Sequence, residues 1–357
     1  TVLFASCLLG KTIYAQNNWA WMNGSSTNTN VLPAFGIQSV PLVFISLGNL
    51  YGAATWTTNS GNLWLFGGYC SGYGYNSDLW KYIPSTNEWT WVKGSGTPNH
   101  YGVYGSVNTP STPNTPGGRY LCSSWTDNSG NLWLFGGSGY AANTTGYLSD
   151  LWKYNPSTNL WTWMKGPNSA NNAGSYGTQA VASPSNMPGG RFGYTPFKDN
   201  TGNLWLFGGY GYAANTATVG NLNDLWKYEV STGNWVWMKG SNVLDQTGIY
   251  GTVTVASPTV MPGGMRAPVS WSDVNGDFWL FGGYGTITST VLTLTNDLWK
   301  YSVSTGNWTW MRGPGTPNSF GWYGSQGVAA SNNDPGARYY STACGSDNLG
   351  NLWLFGG

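Results

Sequence analysis

The sequence predicts an all-β fold made of repeated four-stranded antiparallel units. The heptapeptide Asn131–Gly137 recurs with small changes five times, and its phenylalanine falls at 66, 135, 207, 281 and 355. A period that holds along a whole chain indicates repeated supersecondary units rather than independent domains. The composition is 16% aromatic and 8% charged, with 53 glycines among 357 residues, which is typical of many short strands separated by turns.

The first two strands of a unit are predicted from residues 119 to 137. Arg119–Trp125 alternates in polarity, and the turn-forming cluster Asp127–Asn131 follows it. Leu132–Phe135 is a fully apolar run that is closed by Gly136 and Gly137. This pattern favours a hairpin whose second strand is buried on both faces.

The third and fourth strands follow in residues 150 to 165. Asp150–Tyr154 and Trp161–Lys165 read as strands on either side of the turn 155–159. Four short strands joined as a meander make one blade of a β-propeller. An aspartate precedes a tryptophan by the same interval in four units, at Asp78, Asp150, Asp224 and Asp297 before Trp89, Trp161, Trp235 and Trp308. Length varies instead between strands two and three and between blades, which predicts one face of long loops.

The order of these motifs resembles the kelch repeat, as in the central domain of galactose oxidase and in kelch-type interaction propellers. Pro-Gly-Gly-Arg is followed by an apolar run ending in Gly-Gly, then Asp-Leu-Trp-x-Tyr and Asn-x-x-Trp, from about residue 50 to the end. The resemblance implies a secreted bacterial propeller, and we assign a structural role to Gly67, Gly68, Asp78, Arg119, Gly136, Gly137, Asp150, Trp161, Arg191, Gly208, Gly209, Asp224, Trp235, Arg266, Asp297, Trp308 and Arg338.

About five blades are represented within a propeller domain of residues 16–357. Their predicted bounds are 50–92, 119–165, 191–239, 266–312 and an incomplete 338–357, with a stray fourth strand at 17–22. Since kelch propellers usually have six or seven blades, we expect a fragment of a larger or closed propeller. Further blades or domains of the same chain are then expected beyond Gly357.

The first residues differ in composition from the rest. Val2–Gly10 is apolar and leads into polar sequence after Ala15, which predicts a truncated secretory signal peptide at 1–15 and a secreted or cell-surface location. A lipoprotein box at Cys7 and an ordinary buried strand are the alternatives. No later apolar run is long enough to span a bilayer.

Residues 41–50 break the pattern of the first unit. They keep the repeat's length but lose its Pro-Gly-Gly-Arg signature, which places Leu50 where Arg119 is expected. A compensated reading-frame error, an apolar binding loop and simple divergence each explain this departure.

Charged residues offer little for catalysis, because nearly all of them recur with the repeat. His100 is the single histidine, whereas galactose oxidase-like copper chemistry needs two. Asp127 and its equivalents suit a hairpin turn or a calcium loop that lacks its glutamate. The Arg119 and Asp150 sets suit pairing between strands or an anion in the channel. We therefore predict no catalytic residue, no metal and no cofactor, and the net charge of +1 gives no footprint for nucleic acid.

The loop face is the predicted binding surface, since tyrosine supplies rigid contact area and asparagine supplies adaptable hydrogen bonds. Its candidate residues are Tyr73, Tyr75, Asn76, Tyr101, Tyr104, Tyr140, Asn143, Tyr210, Tyr212, Asn215 and Tyr284. They predict a non-catalytic extracellular module that binds a protein or a glycan. The alternatives are a carbohydrate-active propeller enzyme of the epimerase or lyase type, a structural or adhesion segment, and aromatics that only seal the loops. Turnover that depends on Glu229 or Asp245 would favour the enzyme.

Overall fold

Every regular element in the described part of the chain is a β-strand, which confirms the predicted all-β fold class. The computed structural model describes residues 22, 32–43, 45–287, 291–347 and 349–357. The predicted signal peptide at 1–15 and all but the last residue of the stray strand at 17–22 lie outside them. Two compact units divide the chain, Thr1–Ala170 and Asn171–Gly357. Across the described residues there is no helix long and apolar enough to cross a membrane.

The described residues of the first unit form thirteen strands. Their bounds are β1 Pro41–Leu42, β2 Leu50–Tyr51, β3 Ala54–Thr57, β4 Leu63–Phe66, β5 Tyr69–Cys70, β6 Gly74–Tyr75, β7 Leu79–Ile83, β8 Glu88–Lys93, β9 Arg119–Tyr120, β10 Ser123–Thr126, β11 Leu132–Tyr140, β12 Thr145–Asn155 and β13 Leu160–Lys165.

The second unit contains fourteen strands in its described residues. Their bounds are β14 Arg191–Phe192, β15 Thr195–Lys198, β16 Leu204–Gly211, β17 Gly220–Glu229, β18 Asn234–Lys239, β19 Met265–Arg266, β20 Val269–Ser272, β21 Phe278–Phe281, β22 Tyr284–Thr286, β23 Leu292–Leu294, β24 Leu298–Ser302, β25 Asn307–Arg312, β26 Thr342–Ser346 and β27 Leu352–Phe355.

In the described residues, each unit forms two four-stranded antiparallel meanders of the propeller-blade type. The first unit has β3-β4-β7-β8, which we call blade one, and β10-β11-β12-β13, blade two. In the second unit β15-β16-β17-β18 forms blade three and β20-β21-β24-β25 forms blade four. The hairpin β26-β27 begins a further sheet.

Aromatic packing between neighbouring blades forms the core of each unit. The second strand of blade one is buried at all four positions, and its Trp64 and Phe66 pack on Tyr154 and Trp161 of blade two with ring centroids 5.6 and 5.4 Å apart. The second unit repeats the latter contact between Phe207 and Trp308 at 5.3 Å. The apolar second strand is therefore covered on both sides, as its composition predicts.

A left-handed Gly-Gly step follows the apolar run of the second strand in every described blade. Gly67 has φ 71° and Gly68 has φ 95°, and a Cβ on Gly67 would lie 2.5 Å from the carbonyl oxygen of Arg119 in blade two. Two backbone hydrogen bonds hold that approach, from Gly68 N to Arg119 O at 2.8 Å and from Arg119 N to Asn76 O at 3.1 Å. Only glycine combines this dihedral with so close a neighbour.

Beyond the Gly-Gly step, the expected long loops are instead short antiparallel ribbons. In blade two β11 continues as far as Tyr140 and pairs with both β9 and the first part of β12. Blade one has the same three-stranded arrangement as the separate sheet β2-β5-β6. The sequence-based expectation of loops here was wrong, because a bulge at Gly136 lets the ladder resume after its interruption.

The long segment that precedes the first strand of each blade runs along the fourth strand, at the outer edge of the same blade. Backbone N–H groups of Ser39, Asn108, Ala180 and Thr254 donate to the carbonyls of Trp91, Trp163, Trp237 and Trp310. Such cover protects an edge strand from pairing with another chain. Residues 41–43 and 45–50 follow this course too, since the bridge Ala34↔Ser46 matches Val103↔Thr115 and Leu50 occupies the strand position of Arg119.

We predict that Gly67→Ala destabilises the protein more than Gly61→Ala does. Both glycines have a positive φ, but a Cβ on Gly61 would meet nothing within 4 Å. The dihedral alone costs roughly 1–2 kcal/mol for an L-residue, and Gly67→Ala must also displace the Arg119 carbonyl. Urea unfolding of the two variants measures the difference, and equal losses would contradict the role given to the close approach.

Candidate functional site

A buried ion pair lies where the ribbon of blade two meets the blade. Arg119 Nη1 and Nη2 donate to the two carboxylate oxygens of Asp150 at 2.7 and 2.8 Å. Tyr104 Oη and Trp152 Nε1 also donate to Asp150 Oδ2, at 2.6 and 2.7 Å. Both charged side chains are fully buried, so the arginine is committed to the fold and has no open side for a ligand.

Blade three repeats this geometry with Arg191, Asp224 and Tyr176. In blade two, burial alone would raise the pKa of Asp150, but the charge and hydrogen bonds of Arg119 hold it below its ordinary value. Burial alone would lower the pKa of the Arg119 guanidinium, but the charge and hydrogen bonds of Asp150 outweigh this effect and raise the pKa overall. The pair is therefore ionised throughout the physiological range.

Blade one retains the aspartate but lacks both partners. Leu50 stands at the arginine position and Phe35 at the tyrosine position. Asp78 Oδ1 accepts from Gly96 N and Trp91 Nε1, while the buried Oδ2 has no hydrogen-bond partner. Burial raises the pKa of Asp78 from 3.8 to about 6. Phe35 lies outside residues 41–50. A reading-frame error confined to those residues therefore does not explain why blade one lacks the hydroxyl that Tyr104 supplies in blade two.

Blade four requires a correction to the assignment of Arg266. The strand register pairs Met265 with Gly285, as it pairs Arg119 with Gly139, so the buried Met265 occupies the arginine position. Arg266 lies one residue further along and points to the opposite side of the ribbon. Asp297 is satisfied instead by Tyr250 Oη at 2.6 Å and Thr295 Oγ1 at 2.8 Å.

The aspartates of the calcium-loop pattern hold hairpin turns. Asp127 Oδ1 accepts from the backbone N–H groups of Ser129 and Asn131, and Oδ2 accepts from Asn131 Nδ2 and Trp133 Nε1. Asp199 and Asp273 accept the equivalent indole and backbone donors. With both oxygens occupied by donors of its own turn, each carboxylate has a structural use.

The ribbons of the first unit carry a continuous row of tyrosines, which we call the tyrosine tract. Successive ring centroids lie between 5.1 and 6.1 Å apart, and the rings meet edge to face or tilted. Tyr51, Tyr101 and Tyr69 are 50, 44 and 38% exposed, and the others are half-buried. The tract consists of Tyr51, Tyr69, Tyr75, Tyr101, Tyr120 and Tyr140.

The ribbons of the second unit carry a related cluster built around an arginine. Arg266 Cζ lies over the rings of Tyr210 and Tyr284, 4.8 and 5.0 Å from their centroids. Phe192 contacts Tyr210, and Tyr339 contacts both Tyr284 and Tyr340. We call these six residues the aromatic–arginine cluster: Phe192, Tyr210, Arg266, Tyr284, Tyr339 and Tyr340.

The predicted surface residues divide into three groups. Tyr75, Tyr101, Tyr140, Tyr210 and Tyr284 belong to the tract or the cluster. Asn143 and Asn215 are exposed at the tips of the ribbons, and Tyr212 is half-buried.

Three predicted surface residues lie elsewhere. Tyr104 is 5% exposed and bonded to Asp150, so its selection as a loop-face residue was wrong. Asn76 is buried as well, and its backbone carbonyl accepts from Arg119 N. The Tyr73 hydroxyl donates to the Gly96 carbonyl at 3.0 Å, which directs the side chain toward the neighbouring connection.

Sequence inspection missed the aromatic residue that directly follows the arginine position. Tyr51, Tyr120, Phe192 and Tyr339 all hold this place, and only Arg266 differs. Counting back from the aromatic of the first strand would have found it, since Trp125, Phe197 and Trp271 stand six residues after Arg119, Arg191 and Met265.

Glu229 and Asp245, the two acids that the enzyme alternative would use, do not form a catalytic pair. Glu229 ends β17 and pairs with Lys227 at 2.8 Å, whereas Asp245 Oδ1 accepts from Asn221 N near the start of the same strand. Eight strand residues separate the two sites by about 26 Å, and a glycosidase pair needs roughly 5–9.5 Å. No group of three or more potential metal ligands occurs among the residues described.

No family model matches the chain. A search of curated proteins also finds no match. Among solved structures, one titled "Structure of YjhT" is 16% identical and covers 89% of this chain and 73% of its own, with a TM-score of 0.49. A likeness of this strength carries no argument, so the class of protein, an all-β chain of propeller-type blades, rests on the sheets themselves.

We predict that Arg119→Leu destabilises the first unit strongly. Asp150 would remain buried without its counter-ion, and breaking a buried pair from one side costs about 3–5 kcal/mol. The double variant Arg119→Leu/Asp150→Asn should recover part of the loss, since it removes both charges. Urea unfolding of Arg119→Leu, Asp150→Asn and the double variant gives the coupling free energy between the two side chains. Losses that simply add would show that the ion pair does not cause the destabilisation.

A second prediction concerns pH and Asp78. Because the folded pKa of Asp78 is raised to about 6, this residue's own contribution to native-state stability falls as pH rises from about 4 to about 6, by roughly 3 kcal/mol. Asp78→Asn should therefore raise the unfolding midpoint at pH 7.5 and leave it nearly unchanged at pH 4. Asp150→Asn is the matched control, and it should lower stability at pH 7.5 because Arg119 loses its partner. Equal destabilisation by both variants would contradict the unpaired state of Asp78.

Proposed function

We propose that this chain is an extracellular, non-catalytic recognition module of the kelch type that binds a glycan or a protein through the tyrosine tract. The observation that carries the proposal is the row of six tyrosine rings in contact on the ribbons, three of them more than one-third exposed. Contiguous exposed apolar patches on a protein surface often mark binding sites.

The chemistry of tyrosine suits recognition of sugars or polar protein surfaces. Its ring offers a rigid apolar face, and its hydroxyl offers a hydrogen bond at low entropic cost. The edge contacts from Tyr75 to Tyr120 and Tyr140 at 5.5 and 5.6 Å hold neighbouring rings at fixed angles. A ligand therefore meets a surface that is ordered before it binds, which reduces the entropic cost of binding.

The described residues favour binding over turnover. Asp150 and Asp224 are used by buried ion pairs, and Asp127, Asp199 and Asp273 hold hairpin turns. Glu229 lies at one end of β17, and Asp245 is bonded near its other end. His100 Nδ1 lies 2.7 Å from the Tyr101 carbonyl, so this ring nitrogen has a local partner. The tract itself offers stacking faces and hydroxyl groups.

Removing a tract ring is expected to weaken ligand binding about tenfold or more, because truncation of a central aromatic commonly costs on the order of 2 kcal/mol in binding sites. Glycan-array screening of the wild-type chain identifies a ligand, and calorimetry then compares Tyr69→Ala with Tyr69→Phe. The phenylalanine variant keeps the stacking face and should retain most of the affinity.

Phe320→Ala provides the control, since Phe320 is 96% exposed and lies outside the tract. Its affinity should equal that of the wild type. Tight binding that is indifferent to Tyr69→Ala would place the site elsewhere, and turnover of the bound glycan would overturn the non-catalytic assignment.

A further inference from the structure

Arg266 breaks an otherwise aromatic position of the repeat. Tyr51, Tyr120 and Phe192 pair across the ribbons with Tyr69, Ser138 and Tyr210, and Arg266 pairs in the same register with Tyr284. At the preceding position Met265 replaces the buried arginine. The net effect is that blade four moves its guanidinium from the core side of the ribbon to the surface side.

The new position holds the guanidinium between aromatic rings. Its central carbon is 4.8 Å from the centroid of Tyr210 and 5.0 Å from that of Tyr284. Arginine tolerates such stacking because it is planar and weakly hydrated. Since the rings contact the central carbon, the N–H groups at the edge of the fork remain available to donate.

Those N–H groups have no partner in the described part of the chain. The ion pairs found there use Arg119, Arg191, Lys227, Lys300 and Arg312, and no side-chain hydrogen bond of Arg266 accompanies them. Arginine is half-buried at this point, so its charge is only partly compensated by water. A planar oxyanion is the group that the free fork fits best, through two parallel hydrogen bonds.

We infer that the aromatic–arginine cluster is a binding site for a carboxylate-bearing saccharide, with Arg266 on the carboxylate and the more exposed rings of Tyr339 and Tyr340 against the sugar. This inference rests on the proposed function and narrows its ligand class. Rings of Tyr339 and Tyr340, 39 and 38% exposed, extend the stacking surface beyond Tyr284. A sugar ring presents apolar C–H faces to such side chains and hydroxyl groups to their oxygens.

A peptide carboxylate fits this surface less well. An extended peptide gains most of its affinity by adding main-chain hydrogen bonds to an open sheet edge. Both edges of this ribbon already have partners, because Ala267 N donates to Gly193 O and Leu294 N donates to Asn318 Oδ1. What remains exposed is side-chain surface, which suits a saccharide.

The test uses trigalacturonic acid, its uncharged methyl ester and tetraglutamate as probes in calorimetry with the whole chain. We expect the acid to bind at least tenfold more tightly than the ester at low salt, and this ratio to shrink at high salt as the charge is screened. Arg266→Gln should lower the affinity for the acid to that of the ester and leave the ester unaffected. Arg266→Lys keeps the charge without the planar fork and should retain only part of the ratio. Circular dichroism checks that each variant keeps its fold.

Three outcomes overturn the inference. Equal binding of acid and ester by the wild type, or an unchanged ratio in Arg266→Gln, would show that the arginine does not select a carboxylate. Stronger binding of tetraglutamate than of trigalacturonic acid would assign the binding site to a peptide. In each case the proposed function stands if ligand binding is still weakened by Tyr69→Ala. Both the proposed function and the inference fail if neither Tyr69→Ala nor Arg266→Gln affects the binding of any ligand.

Discussion

The left-handed Gly-Gly step after the second strand is the constraint on which the other features depend. At Gly67 it brings the backbone of blade one against the carbonyl of Arg119, and at Gly282 a Cβ would lie 2.5 Å from the equivalent carbonyl of Arg338. The step therefore joins neighbouring blades within each unit and also redirects strand two into a ribbon. Without it, the strand would end at the blade, and neither the tract nor the cluster would have a rigid base.

Each ribbon has one side toward the blade and one toward solvent, and the two sides follow different rules. The blade side must satisfy a buried aspartate. Blades two and three use arginine and tyrosine, blade four uses Tyr250 and Thr295, and blade one leaves Asp78 Oδ2 without a partner. Blade four thus satisfies its aspartate with hydroxyl groups in place of an arginine, whereas in blade one the missing partners leave the pKa of Asp78 raised by burial. The exposed side is free of this requirement and carries the aromatic residues.

The four strands of a blade could be predicted from the sequence, but the ribbon could not, and the difference has a physical reason. Hydrophobic period and constant spacing are local signals, so the buried run Leu132–Phe135 and the turn at Asp127 could be recognised directly. Beyond Gly136 the strands pair again only because of a β-bulge. The amino-acid composition of this segment is that of a loop, so composition alone does not predict the renewed pairing. Tyr104 was selected as a surface residue for the same reason, because its partner Asp150 is 46 residues away.

Arg266 shows how a repeat protein acquires a specific site. Arg266 follows a Gly-Gly pair, as Arg119 does, so the two arginines look equivalent in the sequence. The strand register shows instead that Met265 holds the position of Arg119 and that Arg266 lies one residue further along. In a ribbon of period two, that single step moves a side chain from one face to the other. A charge that is neutralised inside blades two and three thus reaches the surface in blade four, flanked by tyrosines that the repeat already supplies. The stability of the scaffold resides in the positions that agree among the blades, and selectivity can arise from one position that does not.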